Sequence, residues 1–166
     1  MIDMIQSNAE DIPVIQDLAF ASWEVAYKDI LSPDQIIYML DLFYSKTSLK
    51  DQMTTKGHKF ILAKEEEKPV GFAAYSPKHG KGHLVYHLHK LYVLPDQQGK
   101  GIGKSLLHFI TNDIKPAGAK VLELKVNRHN KARYFYEKIG FTVSGELDTD
   151  IGNGYFMNDY VMLKTI

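Results

Sequence analysis

Apolar residues recur along the chain with two rhythms. In NAEDIPVIQDLAFASWEVAY, residues 8–27, Ile12, Ile15, Leu18, Ala19 and Ser22 follow one another at helical spacing. That spacing predicts a helix with Asn8 as its cap and acids in the first turn. SPDQIIYMLDLFY predicts a second helix, capped by Ser32 with Pro33 in its first position. MIDMIQ, KFILA and PVGFAAYS read as strands, the last two joined through a polar turn, KEEEK. HLVYHLHKLYVL predicts a long strand ending at Pro95. From residue 101 to 114 the helical rhythm returns in Ile102, Leu106, Leu107, Phe109, Ile110 and Ile114. AKVLELKV is a strand, NKARYFYEKIG a short helix closed by Gly140, and YFMNDYVMLKTI a final strand. The order β-α-α-β-β-β-α-β-α-β-β predicts a single α/β domain over residues 1–166, one mixed sheet flanked by helices.

Composition narrows the partners. Lys and Arg number 20 against 20 Asp and Glu, so a net charge of zero points to neither nucleic acid nor a membrane surface. The absence of cysteine excludes disulfides, thiolate metal sites and a cysteine nucleophile. No apolar run approaches the ~18 residues of a membrane span, and MIDMIQSNAED has no basic, apolar leader. The expectation is a cytoplasmic protein, with a homodimer left open.

Chemistry is concentrated in HLHKLYVLPDQQGKGIGKSLL, residues 87–107. A glycine-rich turn between a strand and a helix offers free backbone N–H groups and a helix dipole to an anion. It is also the form of a tight turn that binds nothing. Gly103-Lys104-Ser105 ends like a P-loop, but Gln98 stands where that motif begins with glycine. The dinucleotide fingerprint G-x-G-x-x-G fails at Lys104. Gln98-Gly99-Lys100-Gly101-Ile102-Gly103 instead resembles the Q/R-x-x-G-x-G/A signature of the GNAT superfamily of N-acetyltransferases. That resemblance implies a mostly antiparallel central sheet and a pyrophosphate of acetyl-CoA held by residues 98–104. It implies a pantetheine arm along Leu91, Tyr92 and Val93. Lys104 and Ser105 would add a charge or hydroxyl to the phosphates.

VNRHNKARYFYEKIGF, residues 126–141, is similar to a second element of that family, A-x-x-F/L-Y-x-K-x-G-F, through Ala132, Phe135, Tyr136, Lys138, Gly140 and Phe141. Where the family has asparagine before the alanine, this chain has His129, so Asn127 and Asn130 both stand as cofactor contacts. The resemblance makes Tyr136 the general acid that protonates the departing thiolate, a role suited to a phenol of unperturbed pKa ~10. Tyr134 is the rival, off the motif.

An ammonium acceptor must lose a proton before it attacks, and histidine suits that task. Period-two alternation puts His87, His89, Leu91 and Val93 on one strand face. The HLH pair resembles the histidines of arylalkylamine N-acetyltransferases, which implies proton removal; a structural, hydrogen-bonded pair is the alternative. His79, His83, His87 and His89 lie close in sequence, but no carboxylate is among them, and the reading is of no metal. Aromatics upstream, Trp23 and Tyr27 first, would wall the acceptor pocket. SWEVAYKDILSPDQIIYMLD with the terminal NDYVMLKTI looks like bacterial polyamine acetyltransferases. The expected activity is direct transfer of acetyl from acetyl-CoA to a small primary amine, polyamine or arylalkylamine-like, in a ternary complex. A peptide or protein acetyltransferase and a non-catalytic acyl-CoA-binding module are the alternatives.

Overall fold

The computed structural model describes residues 1–166 as seven strands and five helices. Strand β1 (Ile2–Gln6) is followed by α1 (Ile12–Ala26), α2 (Pro33–Tyr44) and α3 (Lys46–Thr54). Then come β2 (Lys59–Glu65), β3 (Lys68–Pro77), β4 (Val85–Val93) and α4 (Ile102–Ile114). The chain closes with β5 (Val121–Asn127), α5 (Ala132–Lys138), β6 (Thr142–Gly152) and β7 (Tyr155–Thr165). All seven strands form one sheet in the order β1-β2-β3-β4-β5-β7-β6. Only β4 and β5 run parallel, so the sheet is mixed and mostly antiparallel, as expected.

Local chemistry sets the element ends. Ser32 caps α2 by accepting a bond from the Gln35 amide at 3.1 Å, with Pro33 following. Asn8 caps a turn earlier than predicted: its Oδ1 accepts from the Glu10 amide at 2.9 Å, closing a 3-10 turn over Ala9–Asp11 before α1 begins. The KEEEK turn is a tight hairpin with Glu66 and Glu67 both left-handed, at φ 50° and 67°, where asparagine or glycine would sit more easily. Helix α3 was not predicted. KTSLKDQMT buries only Leu49 and Gln52, too sparse a stripe to betray a helix by periodicity.

Two cores flank the sheet. On one side α4 sets Leu106, Ile110 and Ile114 against Ile61, Ala73, Leu122 and Leu124. On the other, α1 to α3 bring Ile15, Trp23, Tyr44 and Leu49 onto Phe60, Leu62 and Phe72. Strand β3 lies between both layers, which accounts for its almost unbroken buried run from Val70 to Ser76. Beyond β4, α2 reaches the β6–β7 turn, where Tyr38 donates to the Ile151 carbonyl at 2.6 Å and Gln35 to that of Phe156 at 2.9 Å.

Candidate functional site

Strands β4 and β5 pair only from Val85 to Leu88 and from Val121 to Leu124, and then part. Past that point the edge of β4 toward β5 carries main-chain groups with no ladder partner, ready to pair with an extended ligand. A cleft of about 1020 Å³ opens there, bounded by β4, the glycine loop, α5 and the end of α1. Leu91, Tyr92 and Val93 line it, as the sequence predicts.

The glycine loop forms one end. Gly99 and Gly101 are left-handed, at φ 83° and 80°, and Gly101 is the N-cap of α4. The first amide of this segment to bond a backbone carbonyl is that of Ser105, which reaches Gly101 at 2.9 Å. The six amides from Gly99 to Lys104 therefore donate to no backbone acceptor, and a helix of 13 residues adds its dipole. Such a row of donors is an anion cradle. Gln98, Gly99, Gly101, Ile102, Gly103 and Lys104 line the cleft. Two predicted members do not. Lys100 turns away to bond Gln97 Oε1 at 2.8 Å, and Ser105, one turn into the helix, is exposed outside the cleft.

Alternation fails at the histidines. Ala74 pairs with Lys90 and Tyr75 with Leu88, so His89 is an extra residue with no partner on β3, a β-bulge. Before it, Tyr86 and Leu88 face α4; after it, Leu91 and Val93 do. His87 and His89 share the opposite face, their ring centres 4.7 Å apart, so the predicted common face with Leu91 and Val93 is corrected by one inserted residue. His89 lines the cleft and bonds Ser76 Oγ through Nε2 at 2.7 Å. His87 does not line the cleft: its Nδ1 lies 3.3 Å from Glu123, which Lys78 holds at 2.8 Å. His83 bonds the Tyr86 hydroxyl at 2.7 Å, and no three or more such side chains are grouped to hold a metal.

Sequence gave no hint of a third imidazole. His58 stacks on His89 with ring centres 3.8 Å apart, its Nδ1 buried without a partner. Burial, with His58, His87 and Lys90 nearby, drops the His89 pKa to about 2; burial and Lys90 drop that of His58 to about 4. Burial lowers His87 as well, against the pull of Glu123. Glu123 itself ends below its ordinary value, because Lys78 outweighs the effect of burial. Both His58 and His89 thus sit below their unfolded value of ~6.5. The stability this confers is complete above that pH and is lost as pH falls through ~6.5 toward 4. Asp159, raised by burial to about 6, acts in the opposite sense over the same range. The urea midpoint is expected to be lower at pH 5 than at pH 7.5, and His58→Asn to flatten the difference whatever its absolute stability. Equal slopes in both proteins would refute this account.

Helix α5 supplies the opposite wall. Tyr136 is 7 % exposed, lines the cleft and makes no hydrogen bond within the chain; burial pushes its phenol above the ordinary value. Phe135 packs over Gly103, where an added Cβ would meet its Cζ at 3.2 Å, locking α5 to the start of α4. Lys138 also lines the cleft, while Tyr134 is 63 % exposed outside it. Of the two asparagines, Asn130 lines the cleft and accepts from the Ala132 amide at 2.9 Å in the turn that leads into α5. Asn127 does not: it is buried at the end of β5, accepting from the His129 amide at 2.9 Å. Tyr27 lines the cleft and meets the Tyr92 hydroxyl at 3.1 Å. Trp23 lies behind it in the core, ring centres 4.5 Å apart, and does not reach the cleft.

Comparison with known proteins agrees with this geometry. Residues 29–158 match the family model of the acetyltransferase (GNAT) domain. A spermidine N(1)-acetyltransferase of Thermoplasma acidophilum is 29% identical over 94% of this chain and 95% of its own length. An uncharacterised N-acetyltransferase of Mycobacterium tuberculosis is 27% identical over 94% and 98%. The crystal structure of the PaiA N-acetyltransferase of Thermoplasma acidophilum in complex with coenzyme A superposes with a TM-score of 0.83, at 27% identity, over 100% of this chain and 99% of that one. Six free amides, an unpaired strand edge and a cleft between them fit a long, pyrophosphate-bearing thioester. The chain belongs to the GNAT acetyltransferases, and it is an N-acetyltransferase that uses acetyl-CoA as co-substrate.

Proposed function

We infer that the protein transfers acetyl directly from acetyl-CoA to a primary amine of a small molecule, both substrates being bound together. The observation that carries this reading is that His89 on the β4 bulge and Tyr136 on α5 line one cleft, at whose end lie the free amides of Gly99–Lys104. Bound acetyl-CoA supplies an activated thioester. The loop amides and Lys104 hold its pyrophosphate, the edge of β4 at Leu91–Val93 pairs with the pantetheine arm, and Asn130 and Lys138 flank it.

The acceptor arrives as an ammonium and sheds one proton before it attacks. As the C–N bond forms and the C–S bond breaks, the nitrogen sheds a second and the sulfur gains one, so one proton per turnover passes to solvent. His89 is neutral at working pH, and because burial, His58, His87 and Lys90 lower its pKa it hands the first proton on rather than holding it. His87, Glu123 and Lys78 continue from it toward solvent, so the proton has an exit. Tyr136 is protonated well beyond neutral pH and gives the sulfur its proton. No cysteine is present to carry the acyl group, in keeping with direct transfer. The similarity to a spermidine acetyltransferase along nearly the whole chain supports a small cationic acceptor.

Free thiol release from acetyl-CoA across a panel of polyamines, arylalkylamines, amino acids and peptides tests the reading. Turnover is expected with small primary amines. Silence toward all of them alongside turnover of a peptide N-terminus would overturn the acceptor assignment, and calorimetry showing no CoA binding would overturn the whole.

A further inference from the structure

The histidine on the bulge is the least restrained residue of β4. His89 has no register partner on β3, and β4 stops pairing with β5 at Leu88, the residue before it. Its side chain is held by one hydrogen bond, Nε2 meeting Ser76 Oγ at 2.7 Å. That bond leaves Nδ1 as the nitrogen that can face an acceptor. One bond fixes one atom of a ring, however, and not its plane, while proton transfer needs the lone pair aimed.

His58 supplies the plane. It stands just before β2, and its ring centre lies 3.8 Å from that of His89 with only 10° between the planes. His58 does not line the cleft, and its Nδ1 is sealed without a partner. What it offers the site is the face of its ring. Burial first, and then Lys90, keep that ring uncharged at neutral pH. It therefore presents a π face, and no like charge, when His89 becomes an imidazolium.

The position of His58 is itself built in by α3. Gln52, 5 % exposed, accepts the His58 amide at its main-chain oxygen, 2.8 Å away. The Gln52 side chain donates to the Phe43 carbonyl at 2.9 Å and to Ser48 Oγ at 3.0 Å, and its Oε1 accepts from Lys90 Nζ at 2.7 Å. Lys90 follows His89 directly, its ammonium over the rings of Tyr44 and Phe60 at 5.3 and 5.6 Å. One buried residue thus ties the segment that bears His58 to the residue after the bulge. We propose that His58 is a positioning residue, holding the His89 ring flat so that its free nitrogen points into the cleft, with Gln52 as its anchor. This rests on the reading above of His89 as the group that removes the proton of the acceptor.

The test uses the full chain, isotope-labelled at the histidine nitrogens for NMR, beside kinetics with saturating acetyl-CoA and with spermidine and tryptamine as acceptors. In the unmodified protein His89 should give the ring-nitrogen signals of a single neutral tautomer. His58→Phe, which keeps a flat ring and removes both nitrogens, should give the same. In His58→Ala those signals should move to values averaged between the two tautomers. There kcat for the better acceptor should fall at least ~10-fold, with the KM for acetyl-CoA changed less than about twofold. His58→Phe should restore kcat to within about threefold of the unmodified enzyme. A ring that merely filled space would lower the melting temperature of His58→Ala but leave the His89 signals and kcat alone; that result overturns the proposal and leaves His89 standing as the base. His58→Phe as impaired as His58→Ala also overturns it, since the loss would then belong to the imidazole nitrogens. Averaged His89 signals in His58→Ala with an unchanged kcat overturn the reading of His89 as the base, and this proposal with it.

Discussion

Tyr136→Phe is expected to lower kcat by ~10²–10³ while the KM for acetyl-CoA changes by less than about threefold. The variant deletes one hydroxyl from a ring whose packing against Phe135 and Phe141 is otherwise retained. That hydroxyl has no partner inside the chain, so its removal strands no buried group. What disappears is a proton donor at the cleft, and the loss should fall on turnover. A purely structural tyrosine would instead lower thermal stability and leave kcat intact, so paired kinetics and melting curves separate the two. Tyr134→Phe, on the exposed side of the same helix, serves as the control and should leave kcat unchanged.

Substituting Gly99 and Gly101 together by alanine should raise the Kd for CoA by ~10–100-fold, with the fold retained. Neither added Cβ meets another atom within 4 Å, so the effect is not steric. It arises because both residues are left-handed, where an L side chain costs roughly 1–2 kcal/mol each. Relaxing that strain turns the loop amides out of their shared direction and the anion loses its donors. Gly103→Ala is a different case: its backbone is helical, and the added methyl presses only on the Phe135 ring, so a smaller loss is expected. Calorimetric titration with CoA checks all three proteins, and an unchanged Kd in the double variant would refute the cradle.

These outcomes rest on parts of the molecule that were legible to different degrees. The glycine loop and α5 were readable because the chemistry of each lies within a short contiguous stretch, and local backbone geometry follows local sequence. The bulge was not. Nothing in YHLHKLY marks His89 as supernumerary, because bulging depends on how β3 is registered alongside. His58 was hidden for a related reason: thirty-one positions separate it from His89, and only the packing of β2 beside β3 and β4 brings the rings together. Asn127 and Asn130 differ by a turn whose direction is set by the Asn127 side chain itself.

The bulge also sets which length changes β4 can accept. Removing one residue from Leu88 to Lys90 would absorb the bulge and restore simple alternation in the existing register, with Leu91 and Val93 still facing α4 and Tyr92 still facing away. The cost of such a deletion is local, the place of His89 beside Ser76 and His58, and the strand beyond it is spared. The glycine-containing segment from Lys78 to Leu84, immediately before the strand, can also gain or lose residues without altering what β4 presents to the cleft. In homologous chains, insertions and deletions should therefore fall before Val85 or at the bulge itself, and not between Leu91 and Val93.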